Sequence, residues 1–159
     1  MSTEPLIIYN TPSLFIPKEL FKEEKLNEYW NVLCGYSQQG ELGKDDLENY
    51  TMLYVKPKNC EATHETTHLY KMIKEKFPEQ LEAVCINVYD DTCYLLVLKD
   101  NEVAFSGYFH YTVNEDVLYH IVNITQHFFE NNFKVTFFYQ QLSPAILRLL
   151  NEYFEIKKL

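Results

Sequence analysis

Residues 81–112, LEAVCINVYDDTCYLLVLKDNEVAFSGYFHYT, hold three apolar runs separated by two short polar breaks, Asp90-Asp91 and Asp100-Asn101. Runs of Val, Ile, Leu, Tyr and Phe bounded by Asp and Asn read as strands joined by two-residue hairpin turns. Around the second turn, Lys99 faces Glu102, Leu98 faces Val103, Val97 faces Ala104 and Leu96 faces Phe105: a charge pair followed by apolar pairs. The middle run, residues 93–98, is apolar on both faces, so it belongs inside a covered sheet rather than at an edge. Thr112 and Glu115 then offer a capping box for a helix running to Asn131, whose buried stripe is Val117, Ile121, Ile124 and Phe128.

Working outward, residues 134–139 read as a buried strand. Ser143 with Pro144 at the first helical position starts a short helix to Leu150, and residues 153–156 add a last strand. From Leu81 the order is β-β-β-α-β-α-β. Upstream, residues 6–9, 13–16 and 50–55 read as strands, 18–33 and 63–77 as helices, and 35–44 as a flexible loop. The fold class is α/β, a mixed sheet with helices packed on it, divided into 1–80 and 81–159 within one compact unit.

Bulk properties narrow the function. The 159 residues carry a net charge of −9, which repels a phosphate backbone, so nucleic acid is not an expected partner. Lys71, Lys74 and Lys76 read as the solvated face of one helix. No apolar run is long enough to span a membrane, and the N-terminus lacks a signal-peptide core. Thirteen Tyr and eleven Phe suit aromatic core layers of a sheet or a surface that meets a partner. Cys34, Cys60, Cys85 and Cys93 show no CxxC spacing. Cys85 and Cys93 fall three positions out of register, roughly 10 Å apart, too far for a bridge. All four read as buried thiols of a cytoplasmic protein.

Two constellations could carry chemistry. His64, Glu65 and His68 spell HETTH; on a helix, HExxH puts two imidazoles on one face as zinc ligands with Glu65 as the base that activates water. Lys71 and Lys74 stand where a longer zinc motif needs Gly and His, and His110, His120, His127 and Glu82 remain unplaced as third ligands. The plainer reading makes His64 and His68 side chains at a helix start. The second constellation is the turn over Asn87, Tyr89, Asp90, Asp91 and Thr92. A phosphate cradle needs glycines so that backbone N–H groups can approach the anion, and this turn offers a Tyr and two carboxylates. A divalent metal there would need a further acid such as Glu115 or Asp116. The plainer reading is a polar turn that favours Asp for local hydrogen bonding. Ser106-Gly107 lacks the nucleophile elbow.

Three segments together carry a resemblance: PSLFIPKELFKEEKLNEYW (12–30), KEKFPEQ (74–80) and INVYDDTCYLLVLKDNEVAFSGYFHYTVNEDVLYHI (86–121). They resemble a bacterial family of unknown function with an actin-like ATPase fold, ribonuclease-H-like in each half, distantly similar to pilus-assembly ATPase-like proteins. The resemblance runs from Pro5 over nearly the whole chain. It implies a first half-domain opening with its own three-stranded meander, the place of a first phosphate loop; this chain is expected to start after it, at the strand 6–9. It also implies a second phosphate loop of the form Asp-x-Gly-Gly-Gly-Thr. Against Asn87, Tyr89, Asp90, Asp91 and Thr92, only Thr92 fits.

The resemblance thus implies an ATPase, and the residues imply a degenerate site. The expectation is a non-catalytic interaction or assembly module, not an enzyme. It would need no cofactor and would dock a protein partner or a second copy through aromatics such as Tyr108, Phe109 and Tyr111. The alternatives are a zinc hydrolase at HETTH and a residual binder of ATP with magnesium.

Overall fold

The computed structural model describes residues 5–9, 11–34, 39–130 and 135–159. The Cys34 thiol, the first residues of the expected 35–44 loop, and the expected helix end at Asn131 and strand start at Lys134 lie outside them. The chain divides into two units, Met1–His68 and Leu69–Leu159.

In the second unit, residues 81–112 form the expected meander: β6 (Ala83–Tyr89), β7 (Thr92–Lys99) and β8 (Glu102–His110). Counting from the N-terminus, the five strands before it are β1 (Leu6–Ile8), β2 (Ser13–Pro17), β3 (Glu41–Asp46), β4 (Tyr50–Lys56) and β5 (Ala62–His64). After it come α3 (Asn114–Phe129), β9 (Thr136–Tyr139), α4 (Pro144–Asn151) and β10 (Ile156–Lys158); α1 (Leu26–Cys34) and α2 (Glu65–Lys76) precede it. The sheet order is β10-β9-β6-β7-β8. The β6–β9 and β9–β10 pairs are parallel and the two hairpin pairs antiparallel, so β7 alone runs against the rest. That is the ribonuclease-H-like order the β-β-β-α-β-α-β pattern predicts.

Alternation sorts the two faces. Val84, Ile86, Val88, Cys93, Leu95 and Val97 join Val117 and Ile121 of α3 and Ile146 and Leu150 of α4 in one apolar cluster. Burial of side chains this size contributes about 1.5–3 kcal/mol each. β7 lies between two strands with Cys93 to Leu98 fully buried, as its two-sided apolar sequence requires. The Asp100-Asn101 turn has φ of 52° and 72°, the double left-handed geometry of a two-residue hairpin.

The register beyond that turn corrects the expected pairing. Lys99 faces Glu102 and Leu98 faces Val103, but Val97 then faces Phe105 and Leu96 faces Ser106. Ala104 is the extra residue of a β-bulge and is exposed. The bulge turns Phe105 and Phe109 to the α3 side, where Phe105 meets Phe128 at 6.0 Å. A strand apolar on both faces does not fix its own register; packing of the Phe105 ring does.

The helix starts follow their caps. Ser143 Oγ accepts from the Ile146 N–H at 3.3 Å, with Pro144 in the first turn. α3 starts one residue later than a Thr112 cap implies: Asp116 Oδ2 accepts from the N–H groups of Thr112 (2.8 Å) and Val113 (3.1 Å). Those bonds hold the Asp116 carboxyl below its usual range, and Glu115 takes no part in the cap.

The first unit departs further from expectation. The expected helix 18–33 begins only at Leu26, after a single 3₁₀ turn at Glu23–Lys25. Lys22 is extended (φ −132°, ψ 117°), and the Pro17 carbonyl draws the N–H groups of Leu20 and Phe21 into a turn; Phe21 stacks on Tyr29 at 5.9 Å instead. Part of the expected loop is β3, which completes an antiparallel sheet β2-β4-β3. Its sequence, ELGKDD, has no strand propensity. It is a strand by pairing with β4 along its whole length, and Gly43, opposite Tyr54, leaves room for the Tyr54 ring that any Cβ at 43 would run into. Thr63 and His64, the first residues of the expected helix 63–77, belong instead to β5. It pairs in parallel with β1, Leu6 to Ala62 and Ile8 to His64.

The chain divides inside α2, whereas the sequence reading divides it between residues 80 and 81. The later half of α2 serves the second sheet: Phe77, just past the helix, meets Phe138 at 4.8 Å, and Gln140 Nε2 reaches Met72 Sδ at 3.8 Å.

Candidate functional site

The Asp90-Asp91 turn closes the β6–β7 hairpin, with Tyr89 opposite Thr92. Asp90 is left-handed, φ 50°, a conformation Asp tolerates without glycine. Tyr111, just past β8, closes over the turn. Its N–H donates to the Asp91 carbonyl (2.9 Å) and its hydroxyl to the Asp90 carbonyl (2.5 Å). Burial, with Cys93, Asp91 and Asp90 around it, raises the Tyr111 hydroxyl above the usual tyrosine range, so it remains a donor. Thr92 is buried and donates to Asp91 Oδ1 at 3.2 Å. The two Asp side chains face solvent. His110 Nδ1 lies 3.8 Å from Asp91 Oδ2 with both side chains more than three-quarters exposed, a pair worth little.

Asn87 is fully buried, and its carboxamide is committed. Oδ1 accepts from the N–H groups of Gln140 and Gln141, both at 2.9 Å, and Nδ2 donates to the Tyr89 hydroxyl at 3.1 Å. It therefore ties β6 to the loop between β9 and α4. All five positions singled out from the sequence lie together on β6, the turn and the start of β7. The turn directs two carbonyls at Tyr111 and two carboxylates at solvent. Asp116, a possible further metal ligand, spends Oδ2 on the α3 cap.

HETTH is not a helical zinc face. His64 is the last residue of β5, and only Glu65 onward is helical. The His64 ring is fully buried and both nitrogens are engaged: Nδ1 accepts from the Thr66 N–H (3.1 Å), and Nε2 lies 2.9 Å from the Thr11 carbonyl. A nitrogen facing an N–H must be the acceptor, so the proton sits on Nε2 and donates to Thr11. His64 is thus a cap for the first turn of α2, doing the work usually given to Ser or Asp. Burial lowers its pKa below the usual histidine range. Glu65 is buried as well, and His68 is half-buried.

Sequence reasoning missed the group that holds His64 in place. Asp45 Oδ2 accepts from the His64 N–H (2.8 Å) and the Thr63 hydroxyl (2.9 Å), and Asp45 Oδ1 from the Tyr54 hydroxyl (3.0 Å). Tyr54 also lies 2.7 Å from the Ala62 carbonyl. Its hydroxyl has one proton for two acceptors, and burial together with Asp45 raises its pKa far above the usual range. Nothing near Asp45 in the sequence signals this role, because its partners are 9 to 19 residues away.

Among the described residues, no three His, Cys, Asp or Glu side chains converge to hold a metal ion. His120 lies against Phe109 at 4.4 Å and His127 against Phe128 at 4.8 Å. The aromatics expected to form a contact surface are half-buried: Tyr108 meets Tyr94 at 4.9 Å, and Phe109 and Tyr111 lie against the apolar cluster. Cys85 and Cys93 are buried and form no disulfide, and burial pushes the Cys93 thiol up to about 12. Cys60 is only half-buried. No helix among the described residues is long and apolar enough to cross a membrane.

Comparison with known proteins agrees with this architecture. A crystal structure from Bacteroides thetaiotaomicron, described as a protein with an actin-like ATPase fold and unknown function, superposes with a TM-score of 0.74 at 14% identity. The match covers 96% of this chain and 66% of that one, so the likeness shows the fold, over just under two thirds of the longer protein. No curated protein matches the sequence. The family of proteins of unknown function DUF3822 matches residues 5–156, and the chain belongs to it.

Proposed function

We propose that the protein is a non-catalytic binding or assembly module built on a degenerate actin-like ATPase fold. The observation that carries this reading is the Asp90-Asp91 turn. Phosphate binding in a hairpin of this kind needs convergent backbone N–H groups at glycines. Here Tyr111 covers the turn, Asn87 is consumed by the 140–141 backbone, and two exposed carboxylates add repulsion. Neither ATP with magnesium nor zinc has a place in the proposal, since His64 has no nitrogen to spare. The partner is another protein or a second copy, met in the cytoplasm; the net charge of −9 argues against nucleic acid.

A thermal-shift measurement with millimolar ATP and magnesium tests the central point. A ligand at a hundred times its Kd stabilises the native state by about 2.7 kcal/mol. The expected outcome is an unchanged melting temperature. A rise of several degrees, absent with magnesium alone, would sink the proposal.

A further inference from the structure

His64 stands where two elements meet: it is the last residue of β5, and α2 begins at the next residue. Its backbone and its ring are held by different groups. The backbone N–H donates to Asp45 Oδ2 at 2.8 Å. The ring is fully buried, with the Thr66 N–H 3.1 Å from Nδ1 and the Thr11 carbonyl 2.9 Å from Nε2. Only the neutral ring with its proton on Nε2 satisfies both. One imidazole therefore joins the first turn of α2 to Thr11, 53 residues before it.

A second proton has one place to go. On Nδ1 it would face the Thr66 N–H, donor against donor. The ionisable groups around the ring are Asp45 from β3 and Tyr54 from β4, whose ring lies 5.3 Å from the imidazole. Glu65 and His68 follow on α2, and the charge of Glu65 bears on Tyr9, next to β1. Asp45 favours a charged imidazole, and burial outweighs it. Thr67, in the same turn of α2, is 1% exposed, and its hydroxyl has no hydrogen-bond partner among the described residues. A buried hydroxyl left unsatisfied costs stability in the closed form and regains water when the turn opens.

We infer that His64 is an acid-operated latch: a proton taken up at Nδ1 ends its acceptance from Thr66, the imidazolium leaves for solvent, and the first turn of α2 parts from Thr11 while Asp45 keeps its hold on β5. The proton comes from solvent and returns there as pH rises, so the latch is reversible. The closed form refuses the proton and the open form takes it up as an ordinary histidine does. The open population therefore rises up to about tenfold per pH unit below about pH 6.5. The opening is local: further along the chain, Phe77 stays against Phe138 and Met72 against Gln140. The latch works whatever the protein binds, so it stands apart from the binding-module reading.

Amide exchange followed by NMR on the full chain tests it, read as protection factors so that the pH dependence of intrinsic exchange cancels. Between pH 7.5 and 5.5 the Thr66 amide should lose about tenfold in protection, with the fall beginning near pH 6.5, above the carboxylate range. The His64 amide, bonded to Asp45, and the Val88 amide, bonded to the Gln141 carbonyl, should each change by less than about twofold. In His64→Asn, which keeps a capping acceptor but does not titrate, the Thr66 response should vanish. Constant Thr66 protection in wild type, an equal fall at all three amides, a response that survives His64→Asn, or a ring-nitrogen NMR spectrum at pH 7.5 with the proton on Nδ1 would each overturn the inference. If circular dichroism shows His64→Asn to be unfolded, His68→Gln takes its place. The Thr66 response should persist there, and its loss would assign the proton to His68 and overturn the inference.

Discussion

The two units solve the same problem, holding a parallel strand pair in place, by different physics. In the second unit, β9 and β10 are held by a five-stranded sheet whose one face buries Val84, Ile86, Leu95 and Val97 under α3 and α4. In the first unit, β5 is held by directed polar bonds: Asp45 to the His64 N–H and the Thr63 hydroxyl, Tyr54 to the Ala62 carbonyl, His64 to the Thr66 N–H. Apolar burial is non-directional and insensitive to pH. A buried polar network is worth much when every member is satisfied and fails when one is lost. The second unit should therefore resist chemical change and respond to lost volume, and the first should do the reverse.

The largest effect expected is from Leu95→Ala, which empties a fully buried position in the apolar cluster. It should cost about 2–5 kcal/mol, read as a lower urea midpoint by a probe in the second unit, with the loss equal at pH 7.5 and 5.5. Asp45→Ala should cost about 2 kcal/mol, because it leaves the Thr63 hydroxyl and the His64 N–H without their acceptor. A cost below about 0.5 kcal/mol would mean that the polar network does not hold β5.

The smallest and most specific effect is the pH response of His64. Its folded pKa is lowered from 6.5 by burial, so above pH 6.5 both states are neutral and its contribution is complete. As pH falls below 6.5 the unfolded chain takes up a proton that the folded chain refuses, and stability declines by up to about 1.4 kcal/mol per pH unit. Asp45 opposes the decline without reversing it. Denaturant melts between pH 7.5 and 5.5 should show this slope in wild type and none in His64→Asn, which keeps a capping acceptor but does not titrate. A flat wild-type profile would remove His64 from the comparison.

How much was legible follows the same division. The meander at residues 81–112, the two turns, the burial of β7 and the Ser143 cap could be read directly, because each depends on residues close in sequence. The bulge at Ala104 could not, since a strand apolar on both faces carries no register signal. β3 reads as loop because its residues lack propensity, and its pairing with β4, with Gly43 leaving room for the Tyr54 ring, makes it a strand. At the candidate site, the missing glycines and paired carboxylates of the turn were visible at once. Tyr111 closing over it and Asn87 holding residues 140–141 were not, because those contacts span 21 and more than 50 residues.

HETTH shows the limit most plainly. The pattern of residues was real, but whether it binds metal depends on where the helix starts and on what each nitrogen touches. By itself the sequence determined the α/β class, the strand order of the second unit and the absence of a glycine cradle, since local patterning and residue chemistry suffice for those. Only the tertiary structure decided that His64 caps α2 from a strand and that Asp45 and Tyr54 close the outer edge of β5. Those outcomes depend on hydrogen bonds between groups distant in sequence, whose partners the fold alone selects.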